Sequence, residues 1–318
     1  MLKKIIENAF QKKLLVRYDP DGTIFYFAPE DLALECESFE FTGDRGQRLC
    51  GFFYKKGEVT RRELIVFEHG MGCGHRSYLR EIETICNMGY EVFTYDHTGT
   101  RFSEGENIGG FTQSLVDLDR AITTLKASGR ALGRSIAVIG HSWGGYSTLN
   151  IAALHPDLTH TVALAGYVSV EAMLEDLLGG LKGYAPELLS MEAERFGSYS
   201  YADARYSLLA SRNTKTLVMH SSDDKTCSYR NFERIKNSLA GREGLTLISL
   251  DNKGHNPNYT EVAVRYKDEF FAELTRMKKK KRLVTEEQKT DFLALFDWRK
   301  MTEQDEGVWA TIFDFIES

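Results

Sequence analysis

Proline is scarce, with five in 318 residues. That argues against long disordered or polyproline linkers and leaves most of the chain free to form regular elements. Cysteine is equally scarce. Cys36, Cys50, Cys73, Cys86 and Cys227 are odd in number and scattered, and no C-x-x-C pair exists. A disulfide framework or a zinc site is therefore not expected, and reduced thiols in a cytoplasmic protein are. Basic residues are not in excess. Forty Lys and Arg stand against 46 Asp and Glu, a net charge of −6, so no nucleic-acid surface is expected. No apolar run approaches membrane-spanning length, so no membrane span is expected. The start, Met1 to Asn8, opens like a signal peptide, but Glu7, Asn8, Lys12 and Lys13 interrupt any apolar core. Leu2, Ile5, Ile6, Ala9 and Phe10 instead share one face of an expected short helix.

What is present is an ordinary globular composition, 42% hydrophobic and 27% charged. The length suits one large α/β domain with an insertion, or two small domains. After a short strand or extended arm over Thr23 to Phe27, two β-rich segments, Ser38 to Phe41 and Leu49 to Tyr54, flank Gly43-Asp44-Arg45-Gly46 and predict an antiparallel hairpin. From there strands alternate with helices. Strands are expected at 63–68, 91–95, 136–140, 161–166, 215–220 and 245–250. Helices are expected at 78–88, 111–128 with a cap at Thr112, 228–239 and 259–277. Eight strands in this rhythm imply a mostly parallel sheet with helices on both faces and an antiparallel edge made by the first two. The run Lys278 to Arg282 reads as a solvated helix end. Thr285-x-x-Gln288 is a capping box, and Thr302 is the expected cap of a last helix.

The most informative stretch is Ile136 to Tyr146. A buried strand runs into Gly140-His141-Ser142-Trp143-Gly144, and the apolar period then becomes helical at Tyr146, Leu149 and Ala153. A G-x-S-x-G between strand and helix is the context of a nucleophile elbow, in which the serine sits on a strained turn with its hydroxyl exposed. A serine hydroxyl needs a base, and the base an orienting carboxylate. Two later strands end in suitable loops. Ser221-Ser222-Asp223-Asp224 follows one and Asp251-Asn252-Lys253-Gly254-His255 the other. His255 is the candidate base, and either Asp223 or Asp224 the acid. His69 and His141 read as loop supports. His75 and His97 read as loop residues near the site mouth, more at home on the surface than on substrate. His220 reads as packed. No histidine pair has metal-site spacing, so neither metal nor cofactor is expected.

His69-Gly70-Met71-Gly72, Asp96 to Gly105, Gly140 to Gly145, His220 to Asp224 and Gly254-His255 together resemble the α/β hydrolases of the serine aminopeptidase and monoglyceride-lipase-like group. The resemblance spans about residues 38 to 275 and implies an α/β-hydrolase fold with a helical cap. It implies Ser142 as nucleophile and His255 as base. Its His-Gly-x-x-Asp pattern maps the acid onto Asp224, with Ser221 in the usual glycine's place and Asp223 the neighbouring alternative. It implies an oxyanion hole from the amides of Met71 and Trp143, and Asp96 as a structural loop aspartate.

Almost fifty residues separate the strand ending at Gly166 from the one starting at Lys215, too many for a structureless loop. A helical cap over 167–211 is expected, inserted in a core of 38–166 and 212–318, with an N-terminal helix and arm at 1–37. The function expected is hydrolysis of a small-molecule acyl compound, foremost a carboxylic ester. An aminopeptidase or amidase with the same triad is the alternative, with Glu171, Glu175 or Asp176 as candidates for holding an α-ammonium. A relative that binds without turnover is a third.

Overall fold

The computed structural model describes residues 6, 8, 10–72 and 74–318. Leu2, Ile5 and Ala9 of the expected first helix, and Cys73, lie outside them. Ile6 and Phe10 pack on the main core, followed by a single wide turn over Phe10–Leu14. Eight strands form one sheet: β1 Glu35–Thr42, β2 Arg48–Lys55, β3 Leu64–Glu68, β4 Glu91–Tyr95, β5 Ile136–His141, β6 His160–Leu164, β7 Lys215–Ser221 and β8 Leu245–Leu250. Their order across the sheet is β1-β2-β4-β3-β5-β6-β7-β8. The β1–β2 and β2–β4 pairings are antiparallel, and every later pairing is parallel. This is the α/β-hydrolase fold.

Alternation along the central strands loads both faces. Val66, Phe93 and Val138 pack with Leu115, Leu118 and Ile122 of α2 (Gln113–Ala127). Ile65, Val92 and Ile139 face the other way. They meet Ile82 and Ile85 of α1 (Leu79–Asn87), and Trp309 and Ile312 from the C-terminal helix Glu306–Ile316. Helix α3 (Trp143–Ile151) is buried at all nine positions, as expected of a helix enclosed on every side.

Between β6 and β7 the chain forms α4 (Val170–Leu178), α5 (Ala185–Phe196) and α6 (Ala204–Ala210), joined by short 3₁₀ turns. Val170, Leu174, Ala185 and Leu188 belong to the same core cluster as α2. The segment is therefore packed into the body of the molecule. Beyond it come α7 (Arg230–Leu239), α8 (Glu261–Lys279), α9 (Glu286–Leu293), α10 (Trp298–Met301) and α11, the C-terminal helix already named. Phe270 and Leu274 of α8 cluster with Phe292 and Met301, while α11 docks on the sheet.

Three local expectations are corrected. Thr23 to Phe27 form no strand, and the bridge in that region is Tyr18 to Thr100. Thr112 does not cap α2 with its side chain. Glu192 on α5 does the equivalent work, its carboxylate accepting from the amides of Phe111 (2.8 Å) and Thr112 (3.0 Å). A carboxylate at a helix N-terminus satisfies free amides and suits the macrodipole. Thr302 ends α10, and Asp305 caps α11 by accepting from Val308 N. The Thr285–Gln288 capping box forms as expected.

Glu192→Ala leaves two buried amides without an acceptor and is expected to lower stability by about 2–4 kcal/mol, with Glu192→Gln costing roughly half of that. Urea unfolding checks this. An unchanged midpoint for the Ala variant would show that α5 does not stabilise the start of α2.

Candidate active site

The elbow is built by close approach. A Cβ on Gly140 would collide with the Thr148 hydroxyl and the Gly144 carbonyl, and one on Gly144 with the Glu68 carbonyl. With both absent, α3 starts one residue after β5 ends and packs against β3. Ser142, between them, takes φ 58°, ψ −113°. That is a left-handed conformation that costs a non-glycine residue on the order of 1–3 kcal/mol and persists because the surroundings impose it.

Ser142 Oγ lies 2.8 Å from His255 Nε2. On the other side of the ring, His255 Nδ1 lies 2.8 Å from Asp224 Oδ2. A carboxylate accepts, so Nδ1 carries the proton and Nε2 is left to accept from the serine hydroxyl. The Asp224 carboxylate also accepts from Thr226 N (2.8 Å) and Cys227 N (3.0 Å), and His220 Nε2, which donates to the Cys227 carbonyl (2.8 Å), lies 3.2 Å from it. Burial alone would raise its pKa. The His220 and His255 imidazoles beside it overcome this and hold it well below the usual carboxylate range. Asp223 points elsewhere. Its Oδ1 accepts from Ser221 Oγ (2.5 Å) and Gly254 N (3.0 Å), so it shapes the turn that presents His255. Ser221 also accepts from Lys253 N (3.1 Å), tying the two loops together.

His141 joins three loops. Its Nε2 donates to the His255 carbonyl (2.6 Å) and its Nδ1 accepts from Tyr78 Oη (2.8 Å), which itself accepts from Gly70 N (3.0 Å). Met71, next to Gly70, lines the same cavity as Ser142. The amides of Met71 and Trp143 have no intramolecular partner among the described residues. Trp143 opens α3, whose positive end favours negative charge at that point.

The surface reading of His75 and His97 is overturned, since both are fully buried. His75 donates from Nδ1 to Asp96 (2.8 Å), and Asp96 also accepts from the His75 amide (2.9 Å). His97 lies between Glu68 (2.8 Å) and Asp117 (3.4 Å). Burial opposes its charge, but the two carboxylates push its pKa up to about 10. His220 is packed, yet its contact with Asp224 makes it a partner of the candidate acid. The sequence signal for that is its place four residues before Asp224.

The serine opens onto a cavity of about 520 Å³. Leu14, Phe111, Tyr167, Met173 and Leu177 supply apolar wall, and Cys227 Sγ lies 3.9 Å from Ser142 Oγ. Glu171, Glu175 and Asp176 do not line it. Glu175 pairs with Arg234 (3.2 Å) and Asp176 with Arg230 (2.6 Å). Among the described residues no cluster of three or more His, Cys, Asp or Glu could hold a metal, and no helix is long and apolar enough to cross a membrane.

Residues 60–204 match the family model described as serine aminopeptidase, S33. A monoglyceride lipase homolog of Monkeypox virus is 26% identical over 163 residues, 46% of this chain. The match spans 58% of that relative's length. An esterase of Pyrococcus furiosus superposes with a TM-score of 0.58 at 17% identity, covering 83% of this chain and 97% of the esterase. The α/β hydrolase GrgF of Penicillium sp. sh18 superposes with 0.51 at 20% identity, covering 70% of this chain and 91% of its own.

Burial holds His69 and His141 neutral, with pKa values brought from 6.5 down to about 3. Once unfolded, both take up protons below 6.5. Their contribution to stability is full above that pH and is lost as pH falls toward 3. His97 works in the other direction, with its contribution full below 6.5 and lost as pH rises toward 10. Urea unfolding at about pH 5 and pH 7 is expected to show a shallower acid loss in His141→Gln than in the wild type. Parallel slopes would mean that His141 titrates normally in the fold.

Proposed function

The chain belongs to the α/β-hydrolase superfamily, and from that premise we propose that it is a serine hydrolase of carboxylic esters or similar acyl compounds. The observation that carries this reading is the unbroken hydrogen-bonded line Ser142–His255–Asp224, with 2.8 Å at each link. In this reading Ser142 Oγ attacks the acyl carbonyl as His255 Nε2 takes its proton. Asp224 keeps the imidazole in the tautomer that can do so and stabilises the imidazolium. The amides of Met71 and Trp143 hold the oxyanion. The imidazolium then gives its proton to the leaving group. Water, activated by the same histidine, releases the acid from the acyl-enzyme. Residues 167–211 act as the cap that covers the serine, and their apolar lining suits an apolar acyl group.

An aminopeptidase would use the same triad but needs a carboxylate for the substrate's ammonium. Glu175 and Asp176 are engaged with arginines. Asp268 is the one carboxylate that lines the cavity among the described residues, and it is exposed. The ester reading is the better supported.

Ser142→Ala is expected to abolish fluorophosphonate labelling and to lower hydrolysis of p-nitrophenyl butyrate by at least about 10⁴-fold. Asp224→Asn is expected to lower kcat by about 10⁴-fold, because the amide favours the wrong histidine tautomer. Asp223→Asn retains an acceptor for Gly254 N and should stay within about tenfold of wild type. Unchanged labelling of Ser142→Ala, or the larger loss falling on Asp223, would reject these roles.

A further inference from the structure

A second cavity, of about 380 Å³, adjoins the serine cavity. Met71, Ser77, Tyr259, Lys267 and Phe271 line both. Its walls are aromatic, with Phe25, Phe27, Phe270 and Trp298 among them. Its charges are all of one sign. Arg76, Arg80 and Lys267 line it, and no Asp or Glu does among the described residues. In a chain of net charge −6 this runs against the overall balance.

Two of these cations lack a counter-charge. Arg80 is paired with Glu83. Arg76 has no carboxylate within 4 Å among the described residues, and its buried Nε has no hydrogen-bond partner. Its guanidinium lies over the Phe102 ring at 5.7 Å. Lys267 Nζ donates to Asn256 Oδ1 (2.9 Å) and lies 5.0 Å from the centre of the Tyr259 ring. Glu81 and Asp268 act on it only from beyond ion-pairing distance, and burial lowers its pKa. Of these donors Arg76 Nε is buried without an acceptor, which is costly, and neither cation has a carboxylate in contact among the described residues, so an anionic ligand with oxygen acceptors would suit both.

Resting on the serine-hydrolase reading, we infer that the substrate has two arms. One is apolar and lies in the Ser142 cavity. The other ends in a carboxylate or phosphate held by Arg76 and Lys267 in the aromatic cavity. Met71, the oxyanion donor of that reading, borders both cavities, so the scissile carbonyl sits where they meet. The aromatic walls suit a planar or apolar spacer between carbonyl and anion. Lys267 also has a bland role, which is to hold Asn256 next to His255. Loss of that role would slow every substrate alike, whereas loss of anion recognition changes the ratio between substrates.

The test is that ratio. kcat/KM is measured for the p-nitrophenyl monoester of glutaric acid against p-nitrophenyl pentanoate, which places the anion on the acyl arm. The butyrate esters of p-hydroxybenzoate and of phenol phosphorylated at the para position are measured against that of methyl p-hydroxybenzoate, which places it on the leaving group. At least one anionic ester is expected to exceed its neutral counterpart by about tenfold, and Arg76→Met and Lys267→Met each to reduce that preference about tenfold. Lys267→Arg should restore it. A preference for neutral esters in every pair, or a ratio that neither substitution moves, overturns the inference. Calorimetric binding of benzoate and of phenyl phosphate to Ser142→Ala separates the two readings. Binding that is lost in Ser142→Ala/Arg76→Met, with no ester turned over by wild type, sustains the anion site and rejects the hydrolase reading. Turnover of neutral esters with no binding of either anion does the reverse.

Discussion

The site depends on how closely α3 can approach the strands beside it. Four glycines set that distance. Gly140 and Gly144 leave room for Thr148 and for the end of β3, while Gly145 lies against Gly166, where a Cβ would come within 2.8 Å of the neighbouring Cα. Only at this separation can the chain turn from β5 into α3 in one residue, and the turn forces Ser142 to φ 58°. Strain at Ser142 is thus a consequence of packing and not an isolated defect. The carboxyl ends of β3, β5, β7 and β8 then deliver Met71, Ser142, Asp224 and His255 to one edge of the sheet. Such an edge is where open α/β sheets bind ligands.

Strand ends alone do not fix side chains to a few tenths of an ångström. Here a polar network does so. Gly70 N, Tyr78 Oη, His141 and the His255 carbonyl form one continuous line beneath the serine. It couples the loop of Gly70 and Met71, the turn at Ser142 and the loop of His255. Such networks are all-or-none in their energetics, since each buried group left unpaired costs what its bond would have contributed. Asp224 is held in the same way, by two histidines and two amides.

The central strands were legible because strands buried on both faces appear as unbroken apolar runs, and 136–140 and 64–68 are such runs. The elbow was legible for the same reason, with a change of period after Ser142. The spacing of Asp223 and Asp224 left open which of them meets His255, because a one-residue shift in a turn re-aims the side chain, and it is Asp224 that does so. Caps were legible where they are local, as with Thr285 and Gln288. They were illegible where the partner is distant, as with Glu192, which lies 80 residues from Thr112. His75 and His97 were misread for a related reason. Imidazoles in loops look exposed until their carboxylate partners, Asp96 for one and Glu68 and Asp117 for the other, are brought to them by β3, β4 and α2.

The place of His97 also decides what it cannot do. Its ring lies 4.8 Å from that of Trp143, close enough to suggest an imidazolium helping an oxyanion. Yet Glu68 and Asp117 flank it on both sides at 2.8 and 3.4 Å, and all three side chains are fully buried. Opposite charges at such separations cancel most of the field felt further off, and in a low-dielectric interior the ion pairs dominate. A group whose charge exists only because two carboxylates stabilise it has little left to offer a third anion. In the proposed hydrolase reading, electrostatic assistance at the carbonyl is therefore assigned to the amides of Met71 and Trp143 and to the first turn of α3. His97 instead anchors β3 to α2, and its amide donates to His69 Nε2 (3.2 Å), so its effect on the loop from His69 to Met71 is one of position.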